Sequence, residues 1–104
     1  MSYCVVYMTA GSHDEAKEVA RTLVEERLAA CVNILGAMTS VYRWQDRVTD
    51  GEEVALIAKT RQDLVERLTA RLAEIHTYDC PCAITLPIEG GHPPFLDWIG
   101  EETA

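Results

Sequence analysis

Positive charge is scarce in this 104-residue chain. Nine Lys and Arg stand against 17 Asp and Glu, for a formal net charge of −8. Nucleic-acid backbones are held by clustered cations that displace counterions, so DNA and RNA are poor partners for such a surface. Anionic membrane surfaces are disfavoured on the same ground. No apolar run approaches the ~20 residues that a bilayer-crossing helix needs. The first ten residues, Met1 to Ala10, place no Lys or Arg ahead of their short apolar stretch. No export signal is therefore expected, and the cytoplasm is the default location. Several catalytic signatures are missing: a Gly-rich phosphate loop ending in Lys, Gly-x-Ser-x-Gly and His-Glu-x-x-His. The four cysteines, Cys4, Cys31, Cys80 and Cys82, lack an export context and read as reduced thiols.

What remains suits one globular domain over residues 1–104, with 48% apolar types. Tyr3 to Thr9 reads as a buried strand. Ser12 and Glu15 form a capping box, and Ala16, Val19, Ala20, Leu23 and Val24 then mark one helical face, from about His13 to Leu28. Val32 to Trp44 is a long strand with a bend or bulge expected at Gly36. After a polar turn at Gln45-Asp46-Arg47, a second long strand runs from Val48 to Thr60, with a turn or bulge suggested by Asp50-Gly51. Thr60 to Asp63 resembles a weaker capping box for a second amphipathic helix ending near His76. Cys82 to Ile88 is a fourth strand whose Pro87 marks its end or an exposed edge, and Pro93 to Ile99 opens a short helix. The order is an α+β, ferredoxin-like βαββαβ sandwich with a long hairpin between the second and third strands and a short C-terminal helix.

The hairpin has a physical consequence. Thirteen residues at about 3.3 Å each extend roughly 43 Å, whereas a domain of this size has a radius of gyration near 13 Å. The ribbon should project, and its tip carries Val41, Tyr42, Trp44 and Val48. Burying each such side chain is worth roughly 1.5–3 kcal/mol. Association with further copies of the chain is the simplest way to cover them; the alternatives are that Trp44 folds back over its own sheet or that Gly36 breaks the strand.

Other uses of this topology fail on their sites. RNA recognition needs aromatics and cations on the central strands, and Val54 to Ala58 has neither. A metal chaperone would carry cysteines, and a phosphatase a cation, in the loop after the first strand, which reads Met8-Thr-Ala-Gly-Ser12. The chemically richest segment is His76-Thr-Tyr-Asp-Cys-Pro-Cys82, with Cys31 elsewhere. Imidazole, carboxylate and thiolate all ligate divalent metals, and sulfur favours copper or zinc. That makes Cys31, His76, Asp79 and Cys82 the candidate metal ligands. Glu52-Glu53 and Glu101-Glu102 read as solvated faces, and Lys59 as a structural ion pair or a ligand-holding charge.

Ala30-Cys-Val-Asn-Ile34, Ser40-Val-Tyr-Arg-Trp-Gln45, Glu53 with Leu56 and Lys59-Thr60, Leu86-Pro-Ile88 and Trp98-Ile99 together resemble the CutA divalent-cation tolerance family, from Tyr3 to Ile99. The resemblance implies a tight homotrimer, architecturally similar to the PII signalling proteins, and a link to tolerance of divalent metals, copper especially. It implies no established enzymatic activity. It places functional positions in clefts between subunits, matched here by Cys31, Tyr42, Trp44, Lys59, His76, Tyr78 and Asp79. The family usually reads His-Pro-Tyr-Glu and then Pro-Glu before the last strand. This chain has His76-Thr-Tyr-Asp79 and then Pro81-Cys82, so a carboxylate gives way to a thiol.

The function expected from these residues is a non-enzymatic, trimeric, PII-like protein of divalent-cation response that binds copper, zinc or a small anionic ligand in its clefts. Tyr42, Trp44, Lys59 and Tyr78 would line them. The rival is a small-molecule enzyme or ligand sensor using the same cleft, with His76 as acid/base and Lys59 or Arg43 holding an anion.

Overall fold

The computed structural model describes residues 1–104. Eight pieces follow one another: β1 (Tyr3–Ala10), α1 (His13–Glu25), β2 (Cys31–Trp44), β3 (Arg47–Arg61), a 3-10 turn (Gln62–Leu64), α2 (Val65–Ile75), β4 (Ala83–Pro87) and α3 (Pro93–Glu102). The strands form one sheet in the order β2-β3-β1-β4, with every neighbouring pair antiparallel. The ferredoxin-like α+β arrangement expected from the sequence is thus the one observed.

Alternation along the strands divides the sheet into two unlike faces. Cys4, Val6, Met8 and Ala10 of β1 and Val54, Leu56 and Ala58 of β3 point to one side. There they pack with Ala16, Val19 and Leu23 of α1 and Leu68 and Leu72 of α2. On the other side, register sets Tyr7 beside Ile57 and Ile84, and Val5 beside Lys59 and Leu86. Ile84 and Leu86 remain exposed there. α3 approaches β1 at its Tyr3 end, where a side chain at Gly100 would strike the Tyr3 hydroxyl.

Several local readings change for identifiable reasons. α1 stops at Glu25 rather than near Leu28, because Arg27 takes a left-handed φ of 61°. The Leu28 N–H then bonds to the Leu23 carbonyl and the Arg27 N–H to the Val24 carbonyl, which is a Schellman termination without its usual glycine. Leu23 and Leu28 are both buried and supply its apolar contact. The second capping box does not form. The Thr60 hydroxyl donates inward to the Leu28 carbonyl, Asp63 pairs with Arg61, and the 3-10 turn precedes α2. Asp50-Gly51 makes no turn: the two residues pair with Val41 and Ser40 in unbroken register. A Cβ at Gly51 would meet the Tyr42 hydroxyl at 3.6 Å, an ordinary contact. α3 runs three residues past Ile99, to Glu102.

The hairpin itself is as long as expected. Its single irregularity is a bulge between Ile34 and Gly36, where Gly36 takes a φ of 99° that side chains rarely tolerate. The two-residue turn at Gln45 and Asp46 uses positive φ at both positions, matching the right-handed twist of the flanking strands. The molecule measures 44 × 25 × 22 Å. At the tip, Val41 is 69%, Trp44 57% and Val48 68% exposed, so Trp44 does not fold back over its own sheet.

Candidate functional site

A cleft of about 350 Å³ opens beside the hairpin. Tyr42 and Trp44, two apart on β2, reach the same side of the ribbon. Glu53 of β3 and Thr9 of β1 contribute from neighbouring strands, and the segment between α2 and β4 supplies Tyr78, Asp79, Cys80 and Cys82. The lining holds two carboxylates and two thiols, and no Lys, Arg or His.

Two anchors hold the α2–β4 segment in place. The first is His76, the C-cap of α2, whose side chain is fully buried. Its Nε2 lies 2.7 Å from the Thr9 carbonyl, and its Nδ1 lies 3.0 Å from the Tyr78 N–H. A carbonyl only accepts and an amide N–H only donates, so the proton sits on Nε2 and the Nδ1 lone pair is used. No lone pair is left for a metal. The second anchor is Glu15. Ser12 caps α1 by accepting from the Glu15 N–H at 3.1 Å, as the capping box requires. The Glu15 carboxylate then accepts from Gly11 N–H at 3.0 Å and from Thr77 N–H at 2.9 Å, which ties the β1–α1 loop to the cleft segment. Burial alone would raise its pKa. The Thr77 and Gly11 bonds outweigh that and hold it below the ordinary glutamate value.

A depressed carboxylate pKa contributes stability above the unfolded value that is lost as pH falls through the folded one. The urea midpoint should therefore decline as pH drops below the ordinary value of 4.5. Glu15→Gln should lower the midpoint at neutral pH and flatten this decline. Parallel pH curves for the two proteins would show that Glu15 is not the group responsible.

Tyr78 stacks at an angle on His76, with ring centroids 4.5 Å apart, and donates its hydroxyl to Glu53 at 3.1 Å. Burial, that bond and the negative charges of Glu53 and Glu15 push its pKa up to about 12. The phenol stays protonated and is a donor here, not a base. Burial likewise raises the Cys82 thiol, with Glu53 adding to the rise and Thr9 opposing it.

Apart from the anchor His76, the expected site residues divide into two groups. Tyr42, Trp44, Tyr78, Asp79 and Cys82 share the cleft. Cys31 and Lys59 pair with each other across β2 and β3, six residues along β3 from Glu53, or roughly 20 Å away. Lys59 donates to Asn33 there. Arg43 alternates to the opposite side of the ribbon from Tyr42 and Trp44. One chain therefore brings no cation to the cleft for an anionic ligand. Nor does it gather Cys31, His76, Asp79 and Cys82; no three His, Cys, Asp or Glu side chains lie close enough to hold a metal ion. Thr9, Glu53 and Cys80 were the cleft residues missed, Cys80 although its segment is singled out in the sequence. Glu53 reads as a solvated carboxylate in the sequence, and only the arrival of Tyr78, 25 residues later, changes that.

The model for the family described as CutA1 divalent ion tolerance protein matches residues 4–102. The divalent-cation tolerance protein CutA of Thermus thermophilus is 43% identical over 99 residues, covering 95% of this chain and 96% of its own length. A Xenopus laevis CutA homologue is 42% identical, and a chloroplastic CutA of Arabidopsis thaliana 44%. The chain spans 66% and 54% of the length of those two relatives. Among solved structures, the Thermus thermophilus Cut A1 protein superposes with a TM-score of 0.96 at 42% identity, covering 98% of this chain and 99% of that one. Oryza sativa CutA1 gives 0.98 at 39% identity, covering 100% and 95%. The chain belongs to the CutA1 divalent ion tolerance family.

Proposed function

We propose that this member of the CutA1 family is a non-catalytic, homotrimeric, PII-like protein of divalent-cation response, working in the cytoplasm and taking copper or zinc at its cleft. The observation that carries this reading is the cleft lining. Glu53, Asp79, Cys80 and Cys82 offer acid and thiol donors, and no cationic side chain stands among them. Such a lining attracts metal cations and repels anions.

No three such side chains of one chain stand close enough to hold a divalent ion by themselves. Asp79 and Cys82 are the ligands we assign to this cleft, with further donors coming from a neighbouring subunit. Cys31, half-buried on the uncovered sheet face, is the candidate for that role. His76 positions the segment and does not ligate. A binding rather than catalytic role is favoured because Tyr78 is held protonated and both His76 nitrogens are engaged. The cytoplasmic setting is favoured by four unpaired cysteines.

Calorimetric titration with Cu(II) and Zn(II) tests the site. Asp79→Asn and Cys82→Ser should each weaken binding by about tenfold or more, as loss of a ligand or its support does in metal sites. Unchanged affinity in both variants would remove the cleft from the metal's path.

A further inference from the structure

The cleft's two thiols are separated by one residue, and that residue is proline. Pro81 has a fixed φ and restricts Cys80 before it to extended backbone, so the Cys80-Pro81-Cys82 unit has few conformations to lose on binding. Both cysteines line the same cleft, Cys80 exposed and Cys82 half-buried, and neither is bonded to another sulfur. Their surroundings are acidic, from Glu53 and Asp79. Three-donor sites, which a divalent ion prefers, are not formed within the chain. Two thiolates alone do satisfy one class of metal: a soft, monovalent d¹⁰ cation that is content with two sulfur ligands.

We propose that Cys80 and Cys82 form a two-thiolate chelate for Cu(I), held within a single chain and independent of any neighbouring subunit. This rests on the cation-response reading of the cleft and names the ion class that its thiols would take. The binding step balances without electron transfer. Two S–H bonds break, two S–Cu bonds form, two protons leave to solvent, and copper enters and stays as Cu(I). The exposed Cys80 is the sulfur that first meets the incoming ion, and Cys82, deeper in the cleft, closes the chelate. Glu53 and Asp79 draw the cation toward the thiols and do not need to ligate it.

The test is anaerobic titration of the reduced full-length protein with Cu(I), in competition with a coloured Cu(I) chelator. The unaltered chain should take one Cu(I) per chain and develop thiolate-to-copper absorption in the near ultraviolet. Cys80→Ser and Cys82→Ser should each lose about 100-fold or more in affinity, because a chelate reduced to one sulfur loses the benefit of its second, tethered ligand. Cys31→Ser should leave binding unchanged. Full Cu(I) affinity in both single variants would overturn the chelate, as would a loss confined to only one of them. Zn(II) titration of Cys80→Ser separates the two proposals. Retained zinc with lost Cu(I) supports the chelate. Zinc bound without any Cu(I) binding by the unaltered chain overturns it and leaves the broader reading standing. An unaltered chain that binds neither metal overturns both.

Discussion

A Val48→Asp chain should scatter light as a single-chain particle, whereas the unaltered protein should give three times that mass. The choice of position follows from the ribbon. Val41, Arg43 and Val48 lie on one side of the hairpin tip, and Tyr42 and Trp44 lie on the other. Both sides carry exposed apolar groups, so no bending of the chain onto itself can cover the two at once. Val48 pairs directly with Arg43. Aspartate there would form a favourable cross-strand pair and leave the hairpin folded. The chain's own stability should change by less than about 0.5 kcal/mol, as at other exposed positions. In a closed ring the same change repeats at three equivalent contacts. Each contact loses roughly 1.5 kcal/mol or more of apolar burial and must desolvate a carboxylate at a cost of several kcal/mol. The total is on the order of 10 kcal/mol, enough to dissolve an assembly at micromolar concentration. An unaltered chain of single-chain mass would refute the trimer directly. A Val48→Asp chain that stays trimeric would place the contacts elsewhere on the molecule.

Local signals made much of this architecture readable in advance. The alternation of β1, the Ser12–Glu15 cap, the 3.6-residue spacing of both long helices and the length of the hairpin each depend on neighbours in sequence. What escaped depended on partners far away. Arg27 ends α1 in a left-handed conformation without glycine, and its side chain donates to the Glu101 carbonyl, 74 residues on. Thr60 looked like a helix cap, yet its hydroxyl is taken by Leu28, 32 residues earlier. Gly51 follows Asp50 as a turn glycine would, yet both continue the strand ladder opposite Ser40 and Val41.

The cleft shows the same division. Tyr42, Trp44, Tyr78, Asp79 and Cys82 were identifiable by residue type and by family resemblance, and the fold gathers them. Cys31 and Lys59 carry equally suggestive side chains but sit far along the strands from that cleft within one chain. Residue chemistry names candidates. Sheet register decides which of them meet.

His76 is where those two kinds of information part most sharply, and His76→Ala should therefore cost stability first and metal affinity only through the loosened segment. Its ring bridges the Thr9 carbonyl and the Tyr78 N–H, 67 residues and two residues away, in a site closed to solvent. Truncation strands both backbone groups, at about 1–3 kcal/mol each, and leaves a hole where the imidazole was. A loss of roughly 3–5 kcal/mol is expected in urea unfolding at neutral pH, a large share of the ~5–15 kcal/mol that holds a typical domain. His76→Gln should recover part of it, since a side-chain amide can donate to the one group and accept from the other. Cu(II) or Zn(II) affinity, measured on the folded fraction, should fall about tenfold as the segment loses a support and should return with His76→Gln, because no lone pair of the ring is free to ligate. A metal-binding His76 predicts the reverse: near-normal unfolding, a collapsed affinity, and no rescue by glutamine.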